Sequence, residues 1–258
     1  MVIILVASTF LVQNQYYATQ IMRTGAQDNV RAATELLAME IRSVMEDGIV
    51  TAGANTLTIR SPLQVASVCF ALPNTWYVYS TGGQAALDTA AVAGVAKRDT
   101  LSGSWTYLVR SWSALNGSDV GAQQRCFNGG ADTVGKYNDF HEIAGLGPIG
   151  GATEGDLLML FSETTFTIAQ SGMDSTTLGL FRREVGGSPV EFATGLDTTA
   201  KFQYRTAAGT YVDTVLAAGL SSIDVVRLVA DARKPAPTGG QDDVTFGWSV
   251  NVALRNVR

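Results

Sequence analysis

His141 is the only histidine in the chain, and Asp139 and Glu142 stand beside it. A zinc site needs three or four ligands at metal-type spacing, and one histidine with two distant cysteines does not supply them. A Ser–His pair for acyl transfer would have to use His141, yet nothing picks out its nucleophile. "GLSSI" (Gly219–Ile223) lacks the closing glycine of a nucleophile elbow. "GLGPIG" (Gly145–Gly150) fits G-x-G-x-x-G by letter. That fingerprint works only when a strand ends at the first glycine and a helix opens at the last, aiming its N–H groups at a pyrophosphate. Here "NDFHEIA" precedes it, Pro148 sits inside it and "GATEGD" follows, so it reads as a loop. "EGD" (Glu154–Asp156) and "QDD" (Gln241–Asp243) offer fewer oxygens than calcium takes. Both read as turns, and Arg182 and Arg183 as solvated or cross-strand paired residues at a strand end. The expectation is a chain that is not an enzyme, with no catalytic residue, no metal and no cofactor.

Cys69 and Cys126 are the two cysteines. Two buried thiols are the ordinary alternative to a bridge, since unpaired cysteine packs as a small hydrophobe. If the start of the chain directs export, an oxidising compartment favours a disulfide. The long loop that it would close is worth roughly 4 kcal/mol on the chain-entropy model. Hydrophobic residues make up 46% of the 258 and charged residues only 16%, with a net charge of −5. The basic residues are scattered rather than clustered, so no nucleic-acid partner is expected.

The elements that carry these residues change period once. Met1 to Val12 is almost wholly apolar, and no charge appears before Arg23. Twelve helical residues rise about 18 Å, short of a bilayer's hydrocarbon core of about 30 Å. No basic n-region and no small-residue cleavage site mark the stretch as a signal peptide. Met22, Ala26, Val30, Ala33, Leu37, Ile41 and Val44 then recur at intervals of three and four, an apolar stripe with helical period. Gly48 stands where a C-cap glycine belongs. Residues 1–47 therefore read as one continuous stem helix, apolar all round at its start and amphipathic after.

Past Gly48 the period is two. "NTLTIRS", "VASVCFAL", "TWYVYS" and "SWTYLVRSW" read as strands, and Ala85–Ala96 as a loop or one helical turn. Ser113–Gly155, rich in Gly, Asn and Asp, reads as a long excursion held by Cys126. "DLLMLFS", "TTFTIAQ", "TLGLFRR", "PVEFAT", "AKFQYRT", "SIDVVRLVAD" and "VTFGWSVNVALRN" read as further strands, with the Pro/Gly-rich connector "ARKPAPTGGQDD" before the last. The expected fold is α+β: a long N-terminal helix packed on an antiparallel, β-rich globular head. The expected domains are residues 1–47 and 48–258, with an inserted loop region at about 85–151.

Three stretches carry a resemblance. "QDNVRAATELLAMEIRSV" (Gln27–Val44), "TEGDLLMLFSETTFTIAQSGMDSTTLGLFRR" (Thr153–Arg183) and "VEFATGLDTTAKFQYRTAAGTYV" (Val190–Val212) resemble, in order and spacing, type IV pilin-like minor pilins of the PilW family and the related J-type minor pseudopilin of type II secretion. "VNVALRN" near the end is also similar, whereas Ala85–Gly151 has no counterpart. The family opens with a processed glycine–aromatic junction and an acidic residue at the fifth mature position, and neither is present here. By that likeness, Met1–Val12 resembles the second half of a pilin membrane segment. About a dozen further apolar residues would complete a span.

The resemblance implies a non-catalytic minor pilin at the tip of a type IV pilus that primes its assembly. Such a subunit waits in the inner membrane with a periplasmic head, then passes to the cell-surface, extracellular filament. Its partners would be other minor pilins and the major pilin, met through the stem helix. Ile3, Ile4, Leu5, Val6 and Phe10 would form the membrane and filament-core surface. Val30, Ala33, Leu37, Ile41 and Val44 would pack the stem on the head. The alternatives are a minor pseudopilin of a type II secretion system, or a secreted module for adhesion or ligand binding. In the latter, Trp105, Trp112, Tyr137 and Phe140 would suit recognition. A secreted hydrolase would need a cleft of convergent polar groups that the sequence does not display.

Overall fold

The computed structural model describes residues 2–45, 47–72, 75–80, 91–99, 103–109, 114–116, 126, 140–144, 152–234 and 244–254. The chain begins with an α-helix, α1 (Val2–Ser43), that leads into the strands. They are β1 (Ile49–Gly53), β2 (Thr56–Leu72), β3 (Thr75–Ser80), β4 (Gly94–Arg98), β5 (Trp105–Val109), β6 (Ala114–Asn116) and β7 (Phe140–Ala144). There follow β8 (Leu157–Gln170), β9 (Leu178–Glu184), β10 (Val190–Leu196), β11 (Lys201–Thr206) and β12 (Tyr211–Val212). After a 3-10 turn at Ala217–Ser222 come β13 (Ile223–Lys234) and β14 (Val244–Ala253). The 14 described strands form one hydrogen-bonded network whose main path runs β12-β11-β13-β10-β9-β8-β2-β3-β7-β6. β1 pairs with β2, β14 with β13, and β4 with both β5 and β8.

The α+β class, with a long N-terminal helix set on a head, is corrected by this architecture: the protein is mostly antiparallel β. Helical periodicity gives one segment a strong signal. Strands of two to seven residues carry little periodicity each, so the sequence underweights them. The C-terminal part of α1 is one wall of a β-dominated core, packed along β10, β13 and β14.

Three local differences from the sequence reading have physical causes. α1 stops at Ser43, where Val44 N–H donates to Ile41 O at 3.2 Å and Gly48 N–H to Met45 O at 2.9 Å. Asp47, rather than glycine, takes the left-handed conformation there, with φ 57°. Gly48 is needed for space instead, since a Cβ on it would lie 2.8 Å from Val44 Cγ1 and 2.9 Å from Met45 O. Second, "NTLTIRS" and "VASVCFAL" are halves of one 17-residue strand, β2, although Pro62 lies between them. β1 pairs with Thr56–Ile59 and β3 with Ala66–Leu72, so on that edge Pro62 faces no partner strand. The missing proline N–H therefore breaks no bond on that edge. Third, the end of the alanine-rich stretch is strand β4, and the excursion contains β6 and β7.

Three apolar clusters result. The first joins Val30, Ala33, Leu37, Ile41 and Val44 to Leu57, Ile59, Phe166, Phe202 and Tyr204, among others. Tyr204 Oη donates to Gly53 O at 2.9 Å, and burial pushes its hydroxyl above its ordinary pKa. The second holds Ala66, Val68, Trp76, Val78, Val95, Ile143, Leu158 and Leu160. The third gathers Met45, Ala93, Ala96 and Phe161, with Tyr107 edge-on to Phe161 at 5.5 Å between centroids.

Candidate functional site

α1 presents two different surfaces along its length. Every described side chain from Gln13 to Thr24 is exposed, Tyr16, Tyr17 and Ile21 among them at 64%, 65% and 72%. Large apolar side chains in water at that density need a reason, because each is a burial of about 1.5–3 kcal/mol not realised. From Val30 onward the helix turns its apolar stripe inward. Val30, Ala33, Leu37, Ile41 and Val44 are 3% exposed or less. Ile3, Ile4, Leu5, Val6 and Phe10 lie on the first turns of α1, and their side chains are outside the described residues. Among the described residues, no helix is long and apolar enough to cross a membrane.

Charge fixes the docked part of the helix. Glu40 Oε1 accepts from Arg182 Nε of β9 at 2.7 Å, in a half-buried pair. Glu184 binds the same guanidinium through Nη1. Burial lowers the Arg182 pKa, but hydrogen bonds and charge from Glu184 and Glu40 outweigh it and raise the value overall. Arg182 is thus a tie between helix and sheet rather than a solvated strand end. Arg183 beside it is exposed. On the outer face of the helix Arg31 and Glu35 pair at 2.9 Å with both side chains largely in water, a contact worth about 0.3–0.5 kcal/mol.

The cysteines form a disulfide, Cys69–Cys126, with Cα atoms 5.1 Å apart and a sequence separation of 57. Cys69 lies on β2 at an irregularity between Val68 and Phe70, where β3 pairs on one side. The bridge ties a point in the long excursion directly to the second cluster's strand.

Among the described residues, those considered for chemistry are not brought together. His141 is on β7 opposite Val78, and Glu142 opposite Tyr77; the side chain of His141 is outside the described residues, as are Asp139, Gly145–Gly150 and Gln241–Asp243. "EGD" is a turn, with Gly155 at φ 89°. Asp156 accepts from Thr153 N–H at 2.7 Å and pairs with Lys97 Nζ at 2.8 Å. Burial raises this carboxyl, yet the hydrogen bond and charge of Lys97, with those from Thr153, hold it below its ordinary value. Ser222 of "GLSSI" donates to Gly219 O within the 3-10 turn. Among the described residues no group of three or more His, Cys, Asp or Glu could hold a metal. Trp105 is half-buried against the third cluster. Trp112, Tyr137 and the side chain of Phe140 are outside the described residues.

The sequence reading missed two features. One is the Arg182–Glu40 tie, whose partners are 142 residues apart and share no local signal. The other is the exposed trio Tyr16, Tyr17 and Ile21, visible in sequence only as apolar residues in a polar stretch. Compared with known proteins, the chain matches no family model, no curated protein and no solved structure.

Proposed function

We propose that the chain is a non-catalytic filament subunit of the minor-pilin kind, whose α1 docks with the helices of neighbouring subunits. The observation that carries this reading is the division of one helix into a docked stripe and an undocked apolar stretch. A helix whose only task was to complete the body would end where its packing ends. This one continues through Tyr16, Tyr17 and Ile21, exposed, and through the apolar residues before them. In lipid such a stretch is stable by itself, and against sister helices it exchanges lipid for protein contacts of similar energy. Transfer between membrane and filament is then close to balanced. The disulfide supports an oxidising place of folding, the periplasm or the cell exterior. Within this class we assign the chain to a type IV pilus tip rather than a secretion pseudopilus, on the three stretches that resemble the PilW family.

Val6→Asp tests the reading in the full chain. A carboxylate at the centre of a helix contact in lipid costs about 2.5–3.5 kcal/mol. Incorporation into filaments should fall at least tenfold while the circular dichroism of the purified protein stays that of wild type. Unchanged incorporation would remove the helix from the filament core and with it this function.

A further inference from the structure

β2 and β8 run side by side through the whole body, and each shows the same interruption on one face. On β8 that face reads Leu158, Leu160, Ser162, Thr164, Phe166, Ile168. Leu158 and Leu160 belong to the second cluster, Phe166 and Ile168 to the first. On β2 the face reads Leu57, Ile59, Ser61, then, across a bulge between Pro62 and Gln64, Gln64, Ala66 and Val68. Register aligns the interruptions: Ile59 opposes Thr164, Ser61 opposes Ser162 and Gln64 opposes Leu160. Two strands therefore place polar side chains side by side between two apolar cores, Thr164 buried and Ser61, Gln64 and Ser162 half-buried. Thr164 is 1% exposed. Ser61 Oγ and Gln64 Oε1 are buried, and neither makes a hydrogen bond.

Leaving a buried polar atom without a partner is destabilising, so such atoms are usually met by ordered water. We infer that this seam is a hydrated joint holding buried water, at which the body divides into two units that open separately. One unit is built on the first cluster with α1. The other is built on the second cluster and carries the disulfide and the excursion. Apolar packing makes a core cooperative because each side chain supports its neighbours. A polar layer interrupts that support, and the bulge at Pro62–Gln64 weakens the ladder at the same height. On this face only the two strands that cross the seam couple the halves, and on the opposite face of β8 the small third cluster, Met45 with Ala93, Ala96 and Phe161, is the remaining apolar contact between them among the described residues. The bridge at Cys69 restrains the outer unit, since the described strands of its loop, β3 to β6, pair with one another, with β7 and with the outer parts of β2 and β8. This inference is independent of the filament reading.

Native-state hydrogen exchange of the full-length protein in detergent micelles, with increasing urea, reads the joint directly. Two backbone amides report the inner unit, Ile168 N–H to Asn55 O at 2.9 Å and Phe202 N–H to Ala54 O at 2.7 Å. Two report the outer unit, Val68 N–H to Asp156 O at 2.9 Å and Ala93 N–H to Phe161 O at 2.8 Å. The outer pair should exchange at least about tenfold faster than the inner pair through its own urea-dependent opening. Reducing the disulfide should accelerate the outer pair alone. Gln64→Leu, which replaces the unpaired amide by an apolar side chain, should narrow the gap between the pairs. All four amides exchanging through one common opening, before and after reduction, would overturn the joint. That measurement needs no variant to fold.

Discussion

Adding one methyl group at Gly94 should disturb the body more than most core substitutions. Gly94 pairs with Phe161 on β8 and with Val109 on β5, so it sits between two strands under a ring. A Cβ at this position would lie 2.2 Å from Phe161 Cζ, 2.7 Å from Phe161 Cε1 and 2.4 Å from Leu108 O. Ordinary carbon contacts are about 3.5–4.0 Å, so both neighbours must retreat by about 1 Å or more. The ring has little room: Phe161 is fully buried, with Tyr107 edge-on to it and the Arg60 guanidinium 5.3 Å from its centroid. The Leu108 carbonyl is backbone, and moving it means moving β5. Overpacking costs about 1–3 kcal/mol, and a clash that engages backbone belongs at the upper end. A loss of about 3 kcal/mol corresponds to a Tm lower by roughly 6–12 °C for a body of this size. Gly53→Ala is the matched control, because its Cβ would find nothing nearer than 3.6 Å; it should stay within about 0.5 kcal/mol of wild type. Urea unfolding followed by near-ultraviolet circular dichroism compares the three proteins. Gly94→Ala unfolding within about 0.5 kcal/mol of wild type would refute the close-approach argument.

Two further outcomes follow from the packing and the charges. Leu37→Ala removes a side chain 2% exposed at the centre of the helix–sheet contact and should cost about 2–5 kcal/mol in urea unfolding; a cost under 1 kcal/mol would mean that α1 is not held by its stripe. Asp156 has its pKa lowered in the folded state, so its contribution is complete above the ordinary carboxylate range, about pH 4, and is lost as the pH falls through the lower folded value. Asp156→Asn should therefore melt below wild type at pH 7, with the difference shrinking below about pH 4. A Tm difference unchanged from pH 7 to pH 2 would show that the Lys97 pair does not carry it.

What the sequence made legible follows from how local each signal is. The stripe through Val30, Leu37 and Ile41 could be read because helical side chains three and four apart share one face, and one neighbouring surface decides them all. The disulfide was legible as one of two alternatives, since two cysteines allow only one pairing. The balance of the fold was not legible in this way. β4, β5, β6 and β7 are five residues or fewer, and their burial depends on partners such as Phe161 and Trp76 that lie far along the chain. The polar interruption on β8 illustrates the difference. Ser162 and Thr164 are visible in "LLMLFSETTFTI" as two hydroxyl residues at alternate positions, which on one strand alone is the ordinary look of a solvated end. They acquire meaning only once β2 brings Ser61 opposite Ser162, with Gln64 placed next along the same face across a bulge that no local pattern announces. The same holds for Glu40 and Arg182, each unremarkable on its own element and decisive as a pair. Helix faces are settled within one element, whereas seams and ties between strands are settled by register. That is why, in a chain dominated by strands, α1 was the loudest signal and the poorest guide to the fold class.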